Sequence, residues 1–294
     1  MLVRKANAAM ILLAVLFVFI WSTGFIVGKA IVPYADPTLF LLVRVVMAAL
    51  MFSGIALYVK AQWPARREIP KHLLAGMLLQ GLYLSGTYWA IAGGLPPAIM
   101  ALLGALQPIL TAFLAIPVLK EMPTRRIWLG LILGLLGVFL VIEPALAVGG
   151  HHGFSAGVLL IALLAIASIT VGTVLQKTSI SKTDIRVSTA LQNAGAVLFT
   201  AFFVWILGEH RWEWSPQLWG SLLWAAFVLS GVGTFLLVWI VRRGQAATAS
   251  SLMFLAPPLA AVEAYFIFDD RLGPIQLVGF AIAIVGVVVC NSRR

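Results

Sequence analysis

This sequence predicts an all-α membrane protein, ten transmembrane helices folded as two inverted five-helix repeats. Three observations carry the expectation. Apolar runs follow one another along the chain, each about 20 residues and so long enough to cross roughly 30 Å of hydrocarbon as a helix. Lys and Arg crowd into every second connection between the runs. The second half of the chain repeats the order of marker residues in the first.

Composition sets the first observation. Hydrophobic residues make up 62% of the chain and charged residues only 10%. Soluble domains carry about 25% charged residues, so a water-facing surface cannot be built from these. Strands of a membrane barrel would alternate apolar and polar side chains, and these runs do not. Ten spans are predicted, at about 8–32, 37–59, 71–92, 96–118, 125–143, 154–176, 186–207, 216–241, 246–268 and 274–290. Proline and glycine punctuate them, as at Pro33 and Pro37, Pro123, Pro216 and Gly273-Pro274. Arg4 and Lys5 precede a first run that continues to Val32 with no suitably placed cleavage site, so it reads as a retained helix rather than a signal peptide.

Several function classes fall away. The connections are short, so no soluble catalytic domain fits between spans. An intramembrane enzyme needs a nucleophile with its base, or a metal cluster. His72, His151, His152 and His210 all fall in predicted loops or at their edges. No catalytic residue, metal site or cofactor is therefore expected, and no ATP-binding loop is present. Cys290 is the one cysteine, which excludes an intrachain disulfide. The net charge of +10 sits between apolar runs, a placement that points to a lipid bilayer and not to nucleic acid.

The second observation is that placement. Sixteen Lys and Arg fall at the N-terminus and in alternate connections, from Arg4 and Lys5 through Arg242, Arg243, Arg293 and Arg294. The opposite connections hold two, Arg211 and Arg271. The bias places both termini in the cytoplasm of a cell with the chain in its inner (plasma) membrane.

The third is the repeat. Displaced by 149 residues, Pro108 meets Pro257, Glu121 meets Asp270, Gly130 meets Gly279 and Gly137 meets Gly286. Displaced by 148, Lys29 meets Lys177 and Asp36 meets Asp184. The halves are 1–148 and 149–294, and five spans in each make the second half upside down relative to the first. Inverted repeats belong to secondary transporters, where two related halves give conformations open to either side and the solute sits near the midplane.

Trp21-Ser22-Thr23-Gly24-Phe25 with Lys29, then Pro37 and Arg44, the stretch from Ala101 to Gln107-Pro108 ending near Glu121, and Gly130, Gly134 and Gly137 form an ordered set. The set resembles the EamA type of the drug/metabolite transporter superfamily over nearly the whole chain. The resemblance implies a basket of helices around a central cavity, lined mainly by helices 1, 3, 4, 6, 8 and 9. It is nearest to the branch that exports aromatic and neutral amino acids. The second repeat departs from the first, since Trp21 and Ser22 have no matching pair and Arg44 aligns with Gln192.

Polar groups inside hydrocarbon are costly and need a reason. Gly76, Gln80, Tyr83 and Thr87 recur at helical spacing on one face of helix 3, a cavity wall or glue between helices. Trp21 lies deep in helix 1 with Ser22 beside it, an aromatic wall or ordinary core. Met253 lies on the face of helix 9 that matches the small-residue face of helix 4. Pro108 and Pro257 each free a carbonyl one turn earlier and are expected hinges. Gly130 and Gly134 form a close-packing motif, within the bundle or in a dimer. Arg44 and Glu263 form a possible charge pair; alternatively a free Arg44 attracts a carboxylate.

The expectation is an exporter of small solutes, neutral or aromatic amino acids, by alternating access and without ion coupling. A proton-coupled drug or metabolite antiporter is the alternative, with Glu263 as the one candidate carboxylate.

Overall fold

The computed structural model describes residues 2–95, 100, 103–104, 106–120, 122–149, 155–178, 180, 182–243, 252–256, 259–260, 262–263 and 273–291. Among them the chain is helical throughout its spans. The helices are α1 (Leu2–Ile31), α2 (Pro37–Tyr58), α3 (Ile69–Gly76, Met77–Leu82 and Tyr83–Ala92 in succession), α4 (Gln107–Leu119) and α5 (Arg125–Gly149). They continue with α6 (Ala156–Thr178), α7 (Ile185–Leu207), α8 (Pro216–Leu223, Trp224–Gly233 and Thr234–Arg243), a short 3-10 turn numbered α9 (Leu252–Leu255) and α10 (Pro274–Asn291).

Five of the described helices are long and apolar enough to cross a membrane: Leu12–Ile31, Pro37–Tyr58, Ala156–Thr178, Ile185–Leu207 and Pro216–Leu237. Their outward faces carry bare apolar side chains such as Leu12, Leu50, Leu160 and Trp205, which lipid covers and water would not tolerate. The inward faces are rich in Ser and Thr. Many of these satisfy themselves within their own helix, as Thr170 does on the Ile166 carbonyl and Thr200 on that of Ala196.

Local chemistry sets the helix starts. Ser215 accepts from the Leu218 N–H at 3.1 Å with Pro216 in the first turn of α8, the pairing of a polar cap and a proline whose missing N–H costs nothing there. Asp184 caps α7 through the Arg186 N–H. Pro108 likewise falls in the first turn of α4.

Two helix pairs approach so closely that only glycine fits. A Cβ on Gly76 of α3 would stand 1.7 Å from the Gln192 carbonyl oxygen of α7, and one on Gly195 of α7 would stand 2.1 Å from that of Leu73. The α5 and α10 helices interlock in the same way, Gly130 against Gly286 and Cys290, and Gly137 against Gly279 and Ala283. Gly130 and Gly134 thus meet α10 and Phe254 inside the chain. Gly76 does not line a cavity as its spacing suggested; its bare face is filled by the backbone of α7.

Helices α3 and α8 each contain a π-helical segment, Met77–Leu82 and Trp224–Gly233. Displaced by 148 residues, 77–82 falls on 225–230, inside the second segment. Such segments widen the helix, rotate the following face and recur at functional sites.

Candidate functional site

The two π segments border one cavity. Leu79 and Gln80 reach it from α3 and Leu229 from α8, with Trp21, Gly24 and Phe25 from α1, Arg44 from α2, and Tyr83, Thr87 and Tyr88 from the last part of α3. Its volume is about 40 Å³. That holds two or three waters, so this conformation is contracted and must widen to take a solute.

One wall is aromatic. The Trp21 and Tyr83 rings lie 6.3 Å apart and 9° from parallel, with Phe17 tilted against Trp21 at 5.4 Å. The other wall is polar and short of partners. Among the described residues, buried Gln80 finds a hydrogen-bond partner for neither its amide nitrogen nor its oxygen, and the Thr87 hydroxyl is equally alone. Each buried polar group left unmade costs about 1–3 kcal/mol. A helix-gluing role would have satisfied them across an interface.

Arg44 lies at the same cavity, 4% exposed. Its Nε donates to Ser230 Oγ of α8 at 2.6 Å, and Nη1 reaches the Tyr88 hydroxyl at 3.5 Å, the outer limit of a hydrogen bond. Among the described residues no carboxylate faces it. The expected Arg44–Glu263 pair is not made. Glu263 is instead held by Ser22, whose hydroxyl contacts Glu263 Oε1 and, at 2.8 Å, the Phe19 carbonyl. Ser22 is wholly buried and turned from the cavity toward Glu263, because the next residue along a helix points about 100° away from Trp21. Among the described residues Glu263 Oε2 has no partner.

The structure therefore brings Trp21, Gln80, Tyr83 and Thr87 together, adds Arg44, and separates Ser22 from them. The Met253 side chain and Pro257 lie outside the described residues. His72, at the edge of a predicted span, is buried in α3 between Ser188 and Thr183.

Sequence reasoning missed a clasp at one end of the bundle. The loop after α7 docks on the loop after α1 through an antiparallel bridge between Ala35 and Trp212. Arg211 donates to the Val32 carbonyl at 2.7 Å and the Pro33 carbonyl at 3.1 Å, and pairs with Asp36 at 3.4 Å. Burial alone would push Asp36 up, but the backbone N–H groups of Arg211 and His210, with the Arg211 guanidinium, hold it below the usual carboxylate value. With Asp36 so engaged, Glu209 caps α2 in its place, accepting from the Leu39 N–H and the Thr38 hydroxyl, each at 2.8 Å. The clasp thus ties together the ends of the helices that carry Trp21, Arg44 and Ser230. Its Trp212 stacks on Phe40, which in turn touches Tyr88 beside Arg44.

A polytopic bundle of apolar helices around a small amphipathic cavity is the architecture of a membrane carrier. Comparison with known proteins agrees. The profile of the EamA-like transporter family matches residues 8–143 and again 155–292, and the chain belongs to that family. It is a multi-pass membrane transporter and not an enzyme. It is 27% identical over 289 residues to "Uncharacterized transporter YvbV" of Bacillus subtilis (strain 168), covering 96% of this chain and 91% of that one. It is 26% identical to "Uncharacterized transporter sll0355" of Synechocystis sp., covering 94% and 88%. A solved crystal structure covers 97% of the chain and 96% of its own with a TM-score of 0.79 at 17% identity, a likeness of fold alone.

Proposed function

We propose that the protein is a facilitative carrier that exports small amphipathic metabolites, neutral or aromatic amino acids foremost, by alternating access. Ten spans in two inverted halves, 1–148 and 149–294, with both termini on the cytoplasmic side of the inner membrane, are the architecture this reading takes. The observation that carries it is the pairing of unsatisfied Gln80 and Thr87 with the near-parallel rings of Trp21 and Tyr83 around one cavity. An amino acid offers a polar end for the first pair and an apolar body for the second. Pro108 and the matching Pro257 are the places where helices 4 and 9 would bend as the halves rock. Met253, which the repeat matches to the small-residue face of helix 4, is assigned to the solute wall on that match alone.

The test is uptake of labelled phenylalanine, leucine and tryptophan into proteoliposomes without an ion gradient. Saturable flux above empty liposomes supports the reading. No flux, even with an imposed proton gradient, removes amino acids as the solute.

A second reading is favoured by one observation. Glu263 is buried against Ser22 with one oxygen unpartnered among the described residues. Ser22 has one hydroxyl proton and two acceptors, so the contact accommodates either protonation state of Glu263. A proton-coupled antiporter would use that exchange. Glu263→Gln then abolishes the pH dependence of flux while solute binding persists; unaltered pH dependence rules this reading out.

A further inference from the structure

We infer that Arg44 anchors the carboxylate of the transported solute, and that the cavity accepts monocarboxylates with an apolar or aromatic body whether or not they carry an amino group. This rests on the proposed carrier role of the cavity and goes further, to the group the site reads.

The argument begins with an unbalanced charge. A guanidinium stays protonated in a protein and carries five N–H donors with no acceptor. Only Nε makes a short bond here, to Ser230, and Nη1 has a long one to Tyr88. No other hydrogen bond engages Arg44 among the described residues. The two Nη groups form the edge that grips a carboxylate in a two-pronged fashion. Ser230 holds the opposite edge, so the fork is oriented before any solute arrives.

The surroundings decide the sign of the ligand. Among the described residues neither Asp nor Glu lines the cavity, and Glu263 sits behind Ser22. Among the described residues an ammonium group entering beside Arg44 finds no counter-charge, and the polar groups it meets, such as the Gln80 oxygen and the Thr87 hydroxyl, are neutral. A buried cation without a partner is costly in a membrane interior, and such residues pair or mark a solute path. A carboxylate supplies the missing partner, while Gln80 and Thr87 take up a neighbouring hydroxyl, carbonyl or amine. Trp21 and Tyr83 then receive the body of the molecule.

The experiment is competition in proteoliposomes holding the full chain, with labelled phenylalanine and labelled 3-phenylpropionate as the two transported probes. Competitors are phenylpyruvate and 3-phenylpropionate, which lack the amine, and phenethylamine and phenylalanine amide, which lack the carboxylate. The acids compete and the amines are weaker by about tenfold or more, the difference of one charge-assisted pair. Arg44→Gln removes the preference, and Arg44→Lys, which keeps the charge, retains it. The melting temperature of each variant in detergent separates loss of the anchor from loss of the fold, and the wild-type competitor series stands without either variant. Carriage of 3-phenylpropionate without phenylalanine leaves the inference standing and overturns the amino-acid reading. Amines competing as well as acids while phenylalanine is carried overturns the inference and leaves the carrier. Carriage of neither probe overturns both.

Discussion

Arg44 of α2 donates through Nε to Ser230 Oγ at 2.6 Å, and Ser230 sits within the π segment of α8. A first-half helix is thereby pinned to a second-half helix at the edge of the cavity. Ser230→Ala leaves a buried charged donor unmade, at a cost of about 1–3 kcal/mol. Thermal melting in detergent is expected to fall accordingly, and Ser230→Thr, which keeps the hydroxyl, is expected to lose less.

The clasp at Asp36 has a defined pH response. Its carboxyl is held below the ordinary value of 3.8. A depressed folded value means that the stabilisation is fully present above the unfolded value and is lost as pH falls through the folded one. Asp36→Asn is therefore expected to lower the melting temperature at pH 7 and pH 5 alike. The gap from wild type is expected to close only below pH 3.8. A gap that closed between pH 7 and pH 5 would mean that Asp36 does not act through its charge on Arg211 and the loop N–H groups.

Glycine positions separate contact from propensity. Gly76→Ala drives a Cβ into the Gln192 carbonyl at 1.7 Å, so α3 and α7 must part. Overpacking of this kind costs about 1–3 kcal/mol or more. Gly54→Ala meets nothing within 4 Å on α2, where alanine gains about 0.5–1 kcal/mol over glycine. Melting of the two variants should move in opposite directions.

The hydrocarbon makes much of this fold legible. Lipid demands long apolar runs, and five of the described helices are long and apolar enough to cross it. The face of α3 was legible too, because Gln80, Tyr83 and Thr87 are costly groups at helical spacing and they meet one cavity. Gly76 was not, since the π segment after it interrupts the simple helical period. Partners across the chain left no local mark. Ser22 finds Glu263 and Arg211 finds Asp36 across 241 and 175 residues, separations that no periodicity encodes. The Arg44–Glu263 pair failed for the same reason: opposite charge at similar depth says nothing of which helix faces which.

In this conformation the cavity must widen before a solute enters. A cavity of about 40 Å³ cannot hold a phenylalanine, and Trp21 is the largest side chain in its wall. Trp21→Ala is expected to change both kcat and KM of flux, because it removes contact area and a barrier together. A change in KM alone, with kcat intact, would make Trp21 a binding surface and not a gate.

Gln80→Leu tests the central claim most directly. The substitution replaces two unsatisfied buried polar atoms by an apolar side chain of similar size, which is neutral or stabilising for the fold. If Gln80 is there for the solute, saturable phenylalanine flux in proteoliposomes falls by about tenfold or more while the melting temperature holds or rises. Unchanged flux with a lower melting temperature would contradict the account and make Gln80 part of the bundle's structure alone.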